Sequence, residues 1–478
     1  MSGLKPVPKG LLAAGVLFAG ICWYLSFSLS AHTWWPIWLA PIPILYFSLR
    51  LSGSWTFLLA FAGYLIGRLS WVPYLHSVLP LPLVFVFTLS YPLIFALQVI
   101  AVRKLMLKYS HWATVFAFPV LVTAVEYLSF LTSPDGTFGS IAYTQIDFLP
   151  VVQVAALTGM LGISFLVTFI PAAIALIIYR YQLKQPIRGL SIVTIGVLIT
   201  TMAWGLMRLN QTTNTNPLHV GMVAIDKQAY YKEAEDKDSA LANLYLRHVG
   251  ELANQGAAMI VFPEKMFTVN NNRRQYFLQQ FKDTAIAHHV SMVACIAQQN
   301  GNYYENRAWV IGPDGTLLED YQKVHLFAGE VLDSIKPGKE PGIFIRDNKT
   351  EGVAICKDLD FQQFIGRYGK AGCNVIYVPA WDFVRDGWLH SRMAVMRSVE
   401  GGFSMIRNAR LGRLTINDYC GRVLQEANCD NGAPTILTGN IDIQHHPTLY
   451  NKWGDWFSIL CTIASLVSIA LLVKPKRR

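Results

Sequence analysis

Three strand-like apolar stretches in the second half of the chain each lead into a residue type that enzymes use in catalysis. The first ends at Glu264, the second at Cys356, and the third shortly before Trp381. Lys323 and Glu330 lie between the first two stretches. Because strand ends in layered α/β folds collect side chains from distant parts of a chain, we expect these residues to line one pocket.

Cys356 is the candidate nucleophile. A cysteine attacks only as a thiolate, so it needs a nearby base or positive charge to lower its pKa from about 8.5. Glu264 is the candidate base, and Lys323 is the candidate cation for the charge that forms on a carbonyl oxygen, assisted by the backbone N–H of Lys357. A lone cysteine in an apolar strand is more often a buried core thiol. The presence of Glu264 and Lys323 favours a nucleophile.

Five further residues are candidate supporting residues: Glu330, Lys357, Asp358, Trp381 and Glu400. Three of them have two interpretations each. Glu330 and Asp358 either support the reacting groups or form plain ion pairs with Lys323 and Lys357, because structural ion pairs also perturb pKa values. Trp381 is either a wall of the pocket or a buried aromatic of the core.

The composition predicts a protein that is part membrane-embedded and part globular. Its 478 residues are 53% hydrophobic and 15% charged, and a spanning helix needs about 20 mostly apolar residues. Eight segments meet this description: residues 11–29, 33–51, 55–75, 81–102, 112–132, 151–179, 190–209 and 456–473. We therefore predict a seven-helix domain at 1–209, a globular domain at 210–455 with a linker at 210–217, and a final helix and basic tail at 456–478.

Arg68 and Glu126 are the two charged residues well inside predicted spans, where charge is costly and indicates function. Arg68 either contacts the phosphate of a lipid headgroup or pairs with Glu126.

The basic residues predict the orientation. Residues 1–209 and 456–478 hold 15 Lys and Arg against 3 Asp and Glu, whereas residues 210–455 hold 25 against 27. A basic excess confined to the spans argues against nucleic-acid binding and for cytoplasmic anchoring. With both termini cytoplasmic, 13 Lys and Arg lie at inner edges and none in short outer loops. The globular domain is then on the outer side of the membrane.

The globular segment alternates short apolar runs with amphipathic stretches, which predicts a layered α/β domain. We predict strands at residues 219–225, 259–262, 290–296, 308–311, 352–355 and 374–378, and helices at 239–255, 273–288 and 388–400. The seven cysteines lack the spacing of a zinc site, so we predict neither metal nor cofactor. Cys420 and Cys429 either pair in an oxidising compartment or remain two thiols.

Three motifs resemble the Glu-Lys-Cys triad of the nitrilase, or carbon-nitrogen hydrolase, superfamily. They are Phe-Pro-Glu264, Tyr-x-Lys323 with Phe-Ala-Gly-Glu330, and Ile-Cys356-Lys-Asp358. The resemblance covers nearly all of residues 218–445, and it implies an αββα sandwich with Glu264, Lys323 and Cys356 as the catalytic triad.

The membrane half is similar to that of apolipoprotein N-acyltransferases. The motifs that carry this resemblance are Phe138-Gly-Ser-Ile-Ala-Tyr-Thr-Gln145, the segment 153–165, Trp71-Val72, Glu126, and Met393-x-x-x-Arg397-x-x-Glu400. The resemblance implies a bacterial inner-membrane enzyme. The resemblance further implies that Cys356 takes an acyl chain from a phospholipid as a thioester and passes it to the N-terminal amine of a diacylglyceryl-modified lipoprotein.

The sequence departs from the family after the nucleophile, where Lys357 and Asp358 replace an aromatic residue and Glu. Lys357 adds positive charge that either lowers the pKa of the thiol or favours a different donor headgroup. Three alternative functions stay open: a membrane-anchored amidase, an acyltransferase with another amine acceptor, and a lipid- or lipoprotein-binding module without catalysis.

Overall fold

A computed structural model of the chain describes residues 5–29, 33–211, 217–225, 236–429 and 434–475. The chain forms two compact units. The first comprises Met1–Pro134, Gly139–Asn210 and Asp455–Arg478, and the second comprises Asp135–Phe138 and Gln211–Gly454. Most of the predicted linker at 210–217, and the basic residues 476–478, lie outside the described residues.

The first unit is a bundle of apolar helices. Its helices are α1 (Lys9–Ser26), α2 (Pro41–Ser48), α3 (Gly53–Arg68), α4 (Val72–Val78), α5 (Leu81–Tyr109), α6 (Ala117–Thr132), α7 (Leu149–Val152), α8 (Ala155–Thr158), α9 (Leu161–Gln182), α10 (Arg188–Leu209) and the C-terminal helix Trp456–Val473. In the described part of the chain, seven helical stretches are long and apolar enough to cross a membrane. They correspond to seven of the eight predicted spans.

The predicted span at 33–51 differs from the others. Its helical part runs only over Pro36–Ser48, because the three prolines of this segment remove backbone donors and interrupt a regular helix. The segment nevertheless returns to the end of the bundle where α5 finishes, since Arg103 of α5 donates from Nε to the Ser48 carbonyl at 2.8 Å.

The sixth predicted span, at 151–179, is interrupted at Gly159. This residue has φ +71° and ψ 175°, a conformation that is open essentially only to glycine. The short helices α7 and α8 therefore precede it, and the long helix α9 begins two residues after it.

Basic side chains bind helix ends at one end of this bundle. Lys108 of α5 donates to the Leu471 carbonyl at 2.7 Å near the end of the C-terminal helix. Arg180 of α9 donates to the Ser110 carbonyl at 3.0 Å, just after α5. The helices α5, α9 and Trp456–Val473 thus finish at the same end of the unit.

The second unit is built on two β-sheets. Its strands are β1 (Leu218–Ala224), β2 (Met259–Val261), β3 (Thr268–Asn270), β4 (Ser291–Asn300), β5 (Tyr303–Ile311), β6 (Leu317–Gln322), β7 (Ile335–Lys336), β8 (Gly342–Arg346), β9 (Lys349–Val353), β10 (Val375–Trp381), β11 (Ser404–Arg410), β12 (Gly412–Asn417), β13 (Val423–Cys429) and β14 (Thr435–Ile441). One sheet has the order β14-β1-β2-β4-β5-β6, with β3 beside β4 and β7 beside β5. The other has the order β13-β12-β11-β10-β9-β8.

The two sheets pack face to face between layers of helices. The helices are α11 (Lys237–Asn254), α12 (Arg274–His288), α13 (Ala328–Leu332), α14 (Gln362–Lys370), α15 (Gly387–Gly401) and α16 (Leu449–Trp453). Val220 and Val261 of one sheet share a buried apolar core with Tyr377 and Ile406 of the other. Helices α11 and α12 cover the first sheet, and α14 and α15 cover the second. This arrangement is the αββα sandwich predicted from the sequence.

Buried polar contacts join the two sheets near the strand ends. Asn408 of β11 donates from Nδ2 to the carbonyls of Val223 at 3.0 Å and Val261 at 2.6 Å. Cys420 and Cys429 are both buried thiols.

Candidate active site

A buried lysine lies at the centre of the site. Lys323 follows β6, and its Nζ is 2.8 Å from Oε1 of Glu264, which follows β2, and 2.7 Å from Oε2 of Glu330 on α13. Burial opposes the positive charge, but the two carboxylates outweigh it and raise the pKa of Lys323 well above its usual value. The ammonium therefore stays charged.

Glu330 is fixed in the ionised form beside Lys323. Its Oε1 lies 3.0 Å from Nζ of Lys265, and its Oε2 accepts a hydrogen bond from the Phe327 backbone N–H at 3.0 Å. Burial alone would raise the pKa of this carboxyl, but Lys323 and Lys265 reverse the effect and lower the pKa to about 2. Glu330 was predicted either to support the reacting groups or to form an ion pair with Lys323. The ion pair is present, so Glu330 contacts Lys323 directly.

Asn306 on β5 completes the cluster, and the sequence reading missed it. Its Nδ2 donates to Oε1 of Glu264 at 2.6 Å and to Oε1 of Glu330 at 2.9 Å. Asn306 is fully buried, so its amide sets the spacing of the two carboxylates. The sequence signal for Asn306 is a polar residue at an inward-facing position of a strand. It was missed because the predicted strand began only at residue 308, whereas β5 begins at Tyr303.

Cys356 begins a tight turn three residues after the end of β9. This turn, Cys356–Asp360, is called the nucleophile turn below. Cys356 has φ +45°, a left-handed conformation that is uncommon for a residue with a side chain and occurs often at functional sites. Its half-buried Sγ lies 3.5 Å from the carbonyl oxygen of Trp381 at the end of β10.

The surroundings of Cys356 keep the thiol protonated. Burial raises its pKa well above the usual value, and the negative charge of Glu264 adds to this effect. The charges of Lys323 and Arg407 act in the opposite direction. A thiol in this environment reacts only when a base removes its proton, and the negatively charged group with the largest effect on it is Glu264.

Asp358 holds the nucleophile turn from within. It accepts hydrogen bonds from the hydroxyl of Tyr321 at 2.6 Å, the backbone N–H of His325 at 2.8 Å and the backbone N–H of Ile355 at 2.9 Å. The alternative of an ion pair with Lys357 is not present among the described residues. Asp358 therefore connects the turn to the segment that carries Lys323.

The Lys357 ammonium is directed to carboxylates. Its Nζ lies 2.7 Å from Oδ1 of Asp135 and 3.5 Å from Oδ2 of Asp360. Burial disfavours the charge, but these carboxylates raise the pKa of Lys357. The strongest charge effects on the Cys356 thiol come from other residues.

Trp381 lies between two cations at the end of β10. Nζ of Lys265 is 5.1 Å from its ring, and the Arg410 guanidinium is 3.5 Å from it. The next residue, Asp382, is buried and binds Arg407 through both carboxylate oxygens, at 2.5 and 2.9 Å. Arg407 acts on Cys356 by charge, and the sequence reading missed it because β11 was not predicted.

The remaining predicted site residues, Glu400, Arg68 and Glu126, make other contacts. Glu400 on α15 pairs with Arg397 at 3.0 Å. In the helical unit, the Arg68 guanidinium lies 4.3 Å from the ring of Tyr91. Glu126 accepts a hydrogen bond from the Ile141 backbone N–H at 3.0 Å. No ion pair between Arg68 and Glu126 occurs in the described ranges.

Two family models match separate parts of the chain. The model of the apolipoprotein N-acyltransferase N-terminal domain matches residues 19–173, and the model of carbon-nitrogen hydrolases matches residues 223–445. The first match lies within the predicted membrane half, and the second contains Glu264, Lys323 and Cys356.

The chain belongs to the carbon-nitrogen hydrolase superfamily.

Relatives of this family align over most of the chain. An apolipoprotein N-acyltransferase of Geobacter metallireducens is 22% identical over 75% of this chain and 74% of the relative. Apolipoprotein N-acyltransferase 1 of Treponema denticola is 21% identical over 85% of both chains. An omega-amidase of Danio rerio is 30% identical over 41% of this chain and 80% of the relative. The chain is thus an enzyme of the carbon-nitrogen hydrolase superfamily with an acyltransferase-type membrane unit.

Proposed function

We propose that this enzyme transfers an acyl chain from a phospholipid to the N-terminal amine of a diacylglyceryl-modified lipoprotein, through a thioester on Cys356. The observation that carries the proposal is the buried Lys323 between Glu264 and Glu330, whose charge acts on the partly buried thiol of Cys356 on a left-handed turn. The relatives named apolipoprotein N-acyltransferase support the choice of donor and acceptor.

In the first step Glu264 accepts the proton of Cys356, and Sγ forms a bond to the ester carbonyl carbon of the phospholipid. An ammonium has three N–H donors, and Lys323 uses two of them on Glu264 and Glu330. The third, with the backbone N–H of Lys357, stabilises the oxyanion. The carbon–oxygen bond then breaks, and the lysophospholipid oxygen takes the proton from Glu264.

In the second step the neutral amine of the acceptor attacks the thioester carbonyl. The carbon–nitrogen bond forms, the carbon–sulfur bond breaks, and Glu264 carries the amine proton to the leaving thiolate. No metal or cofactor takes part in this scheme.

An alkyne-tagged phospholipid tests the nucleophile in the full chain. Wild type is expected to acquire the tag as a hydroxylamine-sensitive thioester and pass it to a diacylglyceryl lipopeptide. Cys356→Ala, Glu264→Gln and Lys323→Met should each lower transfer by at least about 10³-fold. Cys373→Ala, which removes a buried thiol of the core, is the matched control. If Cys356→Ala acquires the tag as strongly as wild type, Cys356 is not the nucleophile and the proposal is refuted.

The same assay separates transfer from hydrolysis. Release of lysophospholipid that depends on the lipopeptide indicates transfer to the amine. Release at an equal rate without the lipopeptide would indicate that water is the acceptor, as in an amidase-type member of the superfamily.

We further propose that the enzyme lies in a bacterial inner membrane with its second unit on the outer side. The supporting observation is that Arg103, Lys108 and Arg180 bind helix ends at a single end of the helical unit, as expected for a cytoplasmic edge.

Arg68 is proposed to attract the anionic group of a membrane lipid. It is 4% exposed, and among the described residues its Nε has no hydrogen-bond partner. A buried arginine that lacks a carboxylate partner there favours an anionic ligand. Arg68→Gln should raise KM for an anionic phospholipid donor and leave thioester formation from a phosphate-free thioester donor unchanged. An equal effect on both donors would contradict this role.

A further inference from the structure

Four residues from the loop after α6 pack within the second unit. They are Asp135–Phe138, called the strap below. The Phe138 backbone N–H donates to the Asp135 carbonyl at 3.0 Å and closes the strap into a turn. Gly136 takes φ +51° in it.

The strap lies against the last residue of the nucleophile turn. The backbone N–H and Oγ1 of Thr137 both donate to the Asp360 carbonyl, each at 2.9 Å. A side chain on Gly136 would place its Cβ 2.3 Å from that same carbonyl oxygen. The backbones are therefore so close that only glycine fits at position 136.

The strap also holds the residue next to the nucleophile. Asp135 Oδ1 is 2.7 Å from Lys357 Nζ, and the Lys357 side chain is 10% exposed while that of Asp135 is 49% exposed. Phe138 stacks on the ring of His390 at 5.2 Å and fixes the other end of the strap. Lys357 and Asp360, near the two ends of the nucleophile turn, are thus both bound to the same four residues.

We propose that Lys357 is a positioning residue, which through Asp135 ties the nucleophile turn to the strap and fixes Cys356 Sγ and the Lys357 backbone N–H for attack. The inference rests on the proposed function of Cys356. Its physical basis is that a misplacement of about 1 Å in a reacting group lowers a rate by up to about 10²-fold. The Lys357 ammonium binds Asp135 of the strap. It therefore affects the thiol by fixing the position of the nucleophile turn, and not by its charge.

The test uses the full chain in lipid-containing micelles, with the rate of thioester formation and KM for the phospholipid measured separately. Lys357→Met and Asp135→Asn should each slow thioester formation about 10- to 100-fold and change KM less than about twofold. Gly136→Ala, which displaces the strap without changing charge, should have the same effect. The charge-reversed double variant, Asp135→Lys with Lys357→Asp, should form the thioester at least about tenfold faster than Lys357→Asp alone.

Glu340→Gln is the matched control, because it breaks the exposed ion pair with Arg367 in the same unit. It should leave all rates unchanged. The proposal is overturned if Lys357→Met and Gly136→Ala keep the wild-type rate. It is also overturned if the loss appears in KM alone, which would make the pair a donor-binding site. Absence of any thioester in wild type would instead refute the proposed function.

Discussion

The thiol of Cys356 is a weak nucleophile until its proton is removed. Burial and the charge of Glu264 raise its pKa, whereas Lys323 opposes them. This balance suits a mechanism in which the base takes the proton during attack, because a standing thiolate is not required. Glu264 therefore has two separable effects on Cys356: it accepts the proton, and its charge disfavours the thiolate.

Glu264→Gln is expected to separate these effects. Transfer should be lost, because no base remains, yet alkylation of Cys356 by iodoacetamide should titrate at lower pH than in wild type, because a negative charge beside the thiol is gone. The measurement is the alkylation rate of the Cys356 peptide by mass spectrometry from pH 7 to 11. The control is Glu340→Gln, an exposed carboxylate. A shift to higher pH would mean that Glu264 does not oppose the thiolate.

At the scale of elements, the start of α15 carries a buried ionic cluster. His390 in its first turn lies 3.5 Å from Asp382 and 3.4 Å from Asp386, the residue before the helix. Burial disfavours the imidazolium, but Asp386, Asp382 and Asp360 outweigh it and raise the pKa of His390 to about 9. The same side chain supports Phe138 of the strap.

His390→Asn should destabilise the protein only where His390 is charged. A folded pKa of about 9 against an unfolded value of about 6.5 corresponds to at most about 3 kcal/mol. This stability is fully present below about pH 6.5 and is lost as the pH rises through about 9. Thermal unfolding midpoints of the full chain should therefore differ between wild type and variant at pH 6.5 and converge at pH 10. His289→Asn, at an exposed histidine, should show no such pH dependence, and a gap of equal size at both pH values would count against the charge.

At the scale of the molecule, one end of the helical unit is basic. The α5, α9 and Trp456–Val473 helices finish there, and the shortened segment Pro36–Ser48 returns to it. Seven passages of the chain therefore precede the second unit, even though one of them is short. This count supports the proposed orientation.

Labelling in spheroplasts tests the orientation. On a Cys356→Ala background, Asn302→Cys in the turn between β4 and β5 should react with a membrane-impermeant maleimide in intact spheroplasts. Lys184→Cys, in the loop between α9 and α10, should react only after permeabilisation. The unmodified background controls for the remaining cysteines. Reaction of Lys184→Cys in intact spheroplasts would reverse the proposed topology.

The sequence by itself determined the features that depend on the summed hydropathy of neighbouring residues. Hydropathy located seven long helices, with the Trp112–Thr132 stretch placed to the residue. Apolar runs that end in polar residues located β2, β9 and β10. These signals are local, because each helix or strand buries a face that its own residues define. The motifs around Glu264, Lys323 and Cys356 resemble those of a known family, and this resemblance predicted the αββα sandwich.

Only the tertiary structure decided which polar groups meet. Asn306 binds Glu264 and Glu330, and Asp135 reaches Lys357 from 222 positions away in the chain. The energy of such contacts depends on burial and on the distance between charges, which residue spacing does not encode. For the same reason Arg68 and Glu126, the only two charged residues well inside their predicted spans, looked like natural partners in sequence. In the fold the Arg68 guanidinium lies over the ring of Tyr91, and Glu126 accepts a hydrogen bond from the Ile141 backbone N–H.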